Sequence, residues 1–103
     1  MAYKVIITEN ALKQLESIAD YLVYRLHNKQ AAAGVLGDFE QICRELTYLA
    51  TSMPVCNDRY LSNKGYRKIA LAHYKYIALY QMKNDVVYVN GIFHMLENYS
   101  KKL

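Results

Sequence analysis

Six cations fall between Arg59 and Lys83: Arg59, Lys64, Arg67, Lys68, Lys75 and Lys83, with no acid among them. The same segment is rich in tyrosine. Cations neutralise phosphates and aromatic rings stack on bases, so this mixture suits single-stranded RNA. It fits equally a solvated strand surface with tyrosines packed on the core, because charge sign speaks to partners and not to fold. The other reactive side chains are sparse. Cys43 falls on an apolar stripe and Cys56 has no histidine near it in sequence, which leaves no nucleophilic pair. Two cysteines make no disulfide framework, and neither has zinc-ligand spacing. No metal and no cofactor is expected.

The elements that must position these residues follow from hydrophobic spacing. Tyr3 to Ile7 is β-branched and apolar and reads as a strand. Thr8 offers an N-cap with Glu9 behind it, and Leu12, Leu15, Ile18/Ala19, Leu22 and Leu26 recur at helical spacing. His27-Asn28 breaks the pattern, and Asn28 can cap a second helix. Its stripe runs through Ala32, Val35/Leu36, Phe39, Ile42/Cys43, Leu46 and Leu49/Ala50 until Pro54. So short a connection predicts an antiparallel helical hairpin. Gly34 and Gly37 weaken the second helix and can admit the first helix closely. A loop over Cys56–Gly65 follows, and the period then changes to two. Tyr66–Ala72, Tyr74–Gln81 and Val86–Phe93 read as strands, with a turn at Lys83-Asn84-Asp85. His73 reads as a turn residue between two strands, and Met95–Leu103 as a tail or short helix. The fold class is α+β: an N-terminal strand, then a helical hairpin on a largely antiparallel sheet of about four strands, in the order β-α-α-β-β-β.

At 103 residues and 53% hydrophobic content, the chain is expected to form one domain over residues 1–103. It has no apolar stretch long enough to span a membrane and no signal-peptide core, which makes the cytoplasm the expected compartment. The +4 charge is uneven. Residues 1–50 carry five Lys/Arg against six Asp/Glu, and residues 51–103 eight against three. The basic excess therefore lies on the sheet half.

A strand and a helical hairpin ending in Met53-Pro54 precede Gly65-Tyr66-Arg67-Lys68-Ile69. Tyr74 to Tyr80 (YKYIALY) and Val87 to His94 (VYVNGIFH) follow in order. This arrangement, over nearly the whole chain, resembles the RelE/ParE superfamily of bacterial toxins. The resemblance implies the toxin half of a type II toxin–antitoxin pair, restrained by an acidic, partly disordered antitoxin. It implies one of two targets. RelE-like members cut mRNA on the ribosome without a metal; ParE-like members bind and poison DNA gyrase.

The resemblance to RelE leads to the expectation of an mRNA endonuclease with His94, Tyr99 and Arg67 as its catalytic residues. His94 is of the residue type best suited to act as a general acid or base. Tyr99 can stack on a base or position the phosphate, and Arg67 can hold the charge that builds on phosphorus. Lys64, Lys68 and Lys75 are expected to bind the substrate backbone. Each also has a plain structural reading: a hydrogen bond at a strand end for His94, a packed tail for Tyr99, an exposed strand cation for Arg67. The chain departs from the family pattern at Gly91, where many relatives carry arginine, and in the arginine-free segment after His94. Both changes remove cations from beside the proposed base. The alternative expectation is a gyrase poison without hydrolytic chemistry.

Overall fold

Lys4–Ile7 forms β1 in the computed structural model, which describes residues 2–103. The side chain of Thr8 caps α1 (Glu9–Asp20) by accepting from the Ala11 N–H at 3.3 Å. The helix does not run on regularly to Leu26. It widens into a π-helical turn over Tyr21–Arg25 before His27 reverses the chain in a left-handed conformation, φ 51°. Asn28 then caps α2 (Lys29–Leu49) through the Ala31 N–H at 2.9 Å. The segment expected to be a plain loop contains a short helix, α3 (Arg59–Asn63), capped by Asp58 on the Leu61 N–H.

Three further strands follow: β2 (Arg67–Ala70), β3 (Tyr76–Lys83) and β4 (Val86–His94). β2 is shorter than the alternation predicts, because Leu71–Lys75 bends across the top of α2 instead of staying flat. The sheet order is β1-β4-β3-β2, with β1 parallel to β4 and the other pairs antiparallel. The tail ends in a 3-10 turn over Tyr99–Lys102.

β1 pairs with β4 only as far as Val89, opposite Ile7. Beyond that point α1 supplies side chains where a strand would supply backbone. Thr8 Oγ1 donates to the Val89 carbonyl, Asn10 Nδ2 to that of Asn90, and Gln14 Oε1 accepts from the Ile92 N–H at 2.9 Å. Leu79 pairs with Gly91 and Tyr80 with Val89, so Asn90 is the extra residue of a bulge. Its amide donates to Gln81 and to the Tyr66 hydroxyl.

Both faces of β3 are buried, and the alternation did not foretell this. On the helix side, Ala78 and Tyr80 join Val35, Phe39, Ile42 and Leu46 of α2. Tyr80 is wholly buried and its hydroxyl donates to the Ala50 carbonyl, so this ring is core and faces no solvent. Tyr74 and Tyr76 pack on the same core, which agrees with the second of the two readings of this segment, tyrosines packed on the core. Gly34 makes its close approach to Tyr74 and not to α1: a Cβ there would fall on the tyrosine ring. On the opposite face a smaller core joins Cys56, Leu61, Tyr66, Ile77, Leu79 and Phe93, with Tyr99 and Leu103 against it.

Candidate functional site

Cross-strand partners share a face, and this decides where the expected site residues point. Arg67 lies opposite Tyr80, and His94 opposite Tyr76, so both belong to the helix side. Their partners stand four residues apart on β3, about 13 Å of strand. Tyr99 belongs to the other face, where its ring packs on Phe93 at 5.9 Å between centroids. The three residues are therefore not gathered around one point.

Arg67 and His94 are also held by local bonds. The Arg67 guanidinium donates to the Met53 carbonyl just beyond the end of α2. His94 packs edge-on against Tyr76 at 5.4 Å, and its Nδ1 accepts from the Leu96 N–H at 3.2 Å. With Nδ1 so used, the neutral ring carries its proton on Nε2. The His94 N–H donates to Glu97, whose other oxygen accepts from Lys102 Nζ at 2.6 Å. The Lys102 contact holds the Glu97 carboxyl below its usual pKa, aided by the His94 N–H and opposed by burial. His94 thus lines a cleft of about 280 Å³ with Ser17, Ile18, Tyr21, Tyr76 and Glu97. Burial pushes the Tyr99 phenol up, away from ionisation.

The lysines divide as well. Lys68 lies opposite Leu79 on the small-core face. Lys64 stands on the same side, its ammonium 4.5 Å from the Tyr60 ring and its carbonyl accepting from Gln81. Lys75 sits in the bend before β3, and its carbonyl accepts from the Met95 N–H. The structure does bring Lys68 and Tyr99 together. They line a groove of about 440 Å³ with Met53, Pro54, Ile77 and Met95, along the outer edge of β2.

Gly91 explains the departure from the family pattern in physical terms. It is buried, and a Cβ built on it would lie 2.5 Å from the Phe93 ring. Phe93 occupies the room that a side chain at 91 would need. In place of the cation expected from the resemblance, this chain has an aromatic cluster of Phe93 and Tyr99.

Sequence reading missed one constellation. Asp38 of α2, the one buried charged residue among those described, receives the backbone N–H and ring Nδ1 of His73, each at 2.8 Å. The His73 ring contact, opposed by burial, holds the Asp38 carboxyl below its usual pKa. The pair is 35 positions apart, so no local signal could reveal it. Neither cysteine looks activated: burial raises the Cys43 thiol to about 11 and raises Cys56 as well. Among the described residues no group of three or more His, Cys, Asp and Glu could hold a metal ion. No described helix is long and apolar enough to cross a membrane.

The family model for the ParE toxin of the parDE type II toxin–antitoxin system matches residues 5–99. The chain belongs to the ParE toxin family. Among solved structures, one described as the chromosomal ParDE TA system from P. aeruginosa superposes with a TM-score of 0.74 at 18% identity. The alignment covers 90% of this chain and 96% of that one, and at such identity it speaks for the fold. No curated protein matches the sequence. Family membership makes this ParE-type chain a toxin of a toxin–antitoxin system and accounts for the order of its elements.

Proposed function

We propose that this toxin acts by binding DNA gyrase and poisoning it, with no hydrolytic site of its own. The observation that carries the reading is the dispersal of Arg67, His94 and Tyr99. Metal-free cleavage requires an acid, a base and a cation within hydrogen-bond reach of one phosphate. Here the arginine is bonded to a backbone carbonyl, the tyrosine is packed on the opposite face, and the histidine lines a separate cleft whose described lining holds no cation. Membership of the ParE family agrees with a binding toxin. An acidic, partly disordered antitoxin holds it inactive in the cytoplasm, drawn to the basic sheet half.

The test is supercoiling by purified gyrase in the presence of the purified toxin, beside pulse-labelling of DNA and protein synthesis after induction. Supercoiling is expected to fail and DNA synthesis to stop first. His94→Ala combined with Tyr99→Phe is expected to leave growth arrest intact. Gyrase untouched by a tenfold excess, with translation arrested first, overturns the reading. Ribosome-bound mRNA cut by the wild type but not by the double variant establishes the endonuclease instead.

A further inference from the structure

The chain has three histidines, and their surroundings put the neutral rings in three different states. A carboxylate oxygen only accepts, so the 2.8 Å contact from His73 Nδ1 to Asp38 Oδ1 holds the ring proton on Nδ1 and leaves the lone pair on Nε2. The other carboxylate oxygen takes the His73 N–H, also at 2.8 Å, which fixes the residue at two points. His94 is the reverse. Its Nδ1 accepts from the Leu96 N–H, so the proton sits on Nε2 and no ring lone pair is left over. His27, in its left-handed turn, has no ring partner among the described residues. The two members of the Asp38–His73 pair also differ in exposure: the carboxylate side chain keeps 11% of its surface and the histidine 77%. The Nε2 edge of His73 is therefore open to solvent, with a buried carboxylate behind the ring.

Attack by Nε2 on an electrophile, while Nδ1 keeps its proton, turns the ring into a cation. The Asp38 carboxylate already stands at that Nδ1–H and stabilises the charge as it forms. His94 lacks this support, because Glu97 meets its backbone N–H and not its ring. Among the described residues no further metal-ligating groups gather at the pair, so it does not form a metal site. The bend that carries His73, Leu71–Lys75, holds no acid. Its lysine, Lys75, is exposed and stands in none of the ion pairs of the described residues, which favours an anionic electrophile. We propose that His73 Nε2 is a phosphoryl-acceptor site served by an acyl phosphate. The Nε2 lone pair attacks phosphorus, and the N–P bond forms as the bond from phosphorus to the acyl oxygen breaks. The donor's carboxylate leaves with that bonding pair, and the Nδ1 proton stays on the ring against Asp38. The product carries a phosphoryl dianion near Lys75 and a ring cation balanced by Asp38, and it lowers the basic excess of the sheet half. The inference is independent of the enzyme that the toxin attacks.

The experiment incubates the full chain with acetyl phosphate at neutral pH and locates the added group by mass spectrometry of peptides kept away from acid, which cleaves N–P bonds. In the wild type, His73 is expected to gain a phosphoryl group at least tenfold faster than His27 or His94, the two internal controls in the same molecule. Long-range proton–nitrogen NMR should show the Nδ1–H tautomer for His73 and the Nε2–H tautomer for His94. Both readouts use the unaltered chain and are free of any folding defect. Asp38→Asn leaves an acceptor for the ring but no charge, and in a variant with the wild-type NMR dispersion it should slow His73 at least tenfold. Lys75→Ala leaves the pair intact and should slow His73 without changing His27. Labelling of His73 no faster than His27, or a His73 ring protonated on Nε2, overturns the proposal. So does a folded Asp38→Asn variant that reacts as fast as the wild type. Transfer of the acetyl group in place of the phosphoryl group overturns the assignment of the acceptor chemistry.

Discussion

The two faces of one sheet are covered in opposite ways. The helix side lies under long amphipathic α1 and α2, which fill the space over Tyr80, Val87, Val89 and Ile92. The other side lies under a five-residue helix and a nine-residue tail, around Leu61, Leu79 and Phe93. Long helices bring many apolar side chains at fixed spacing and leave little room. Short pieces cover unevenly and leave grooves at their borders. The difference teaches that the helix side makes the fold, while the side covered by short pieces is left with grooves at its borders.

Removal of a ring from each face sharpens that comparison. Tyr80→Ala should cost about 4 kcal/mol in urea-induced unfolding, since it empties a close-packed site under two helices and orphans the Ala50 carbonyl. Phe93→Ala should cost less, about 2–3 kcal/mol, because the Tyr99 tail can settle into the vacated space. Equal losses would mean that the small core is as rigid as the large one.

Next in size is the clasp between α2 and the bend before β3. Asp38→Asn should cost at most about 2 kcal/mol, since the carboxylate has little solvent access but the His73 ring is largely exposed. Asp38 is more acidic in the folded chain than in the unfolded one. Its contribution is therefore complete above the unfolded carboxylate pKa of about 4 and is lost as pH falls through the lower folded value. The stability gap between wild type and Asp38→Asn should shrink on acidification below about pH 4, and a gap that widens there refutes the clasp.

The smallest effect concerns Gly91. Gly91→Ala should cost about 1–2 kcal/mol by overpacking against the Phe93 ring. The cost should largely vanish in a Phe93→Leu background, since residues in contact are not additive. Additive losses would place the strain elsewhere.

Much of this was legible in the chain. Thr8 and Asn28 announce their helices because a capping side chain acts within three residues of itself. The grouping of Tyr74, Tyr76, Ala78 and Tyr80 on one face follows from the pleat, and the structure keeps it. What alternation cannot reveal is which face the helices will cover, so the burial of Tyr80 is not decided by the pattern alone. Nor can it show a second cover, because Ile77 and Leu79 alternate in the same way whether or not a tail lies over them. α3 escaped because five residues give no period, although Asp58 three positions before Leu61 was a usable cap signal.

The parallel pairing of β1 with β4 also sets a clock. Lys4–Ile7 is made more than eighty residues before its partner Val86–Val89. The hairpin of α1 and α2 relies on near neighbours and can collapse early, whereas β1 must wait for a strand more than eighty residues away. The bonds from Thr8, Asn10 and Gln14 to β4 wait with it. A growing chain therefore has no finished sheet until β4 has been made. For a poison made inside the cell that it harms, that delay is an interval in which a partner can meet the chain before it is armed.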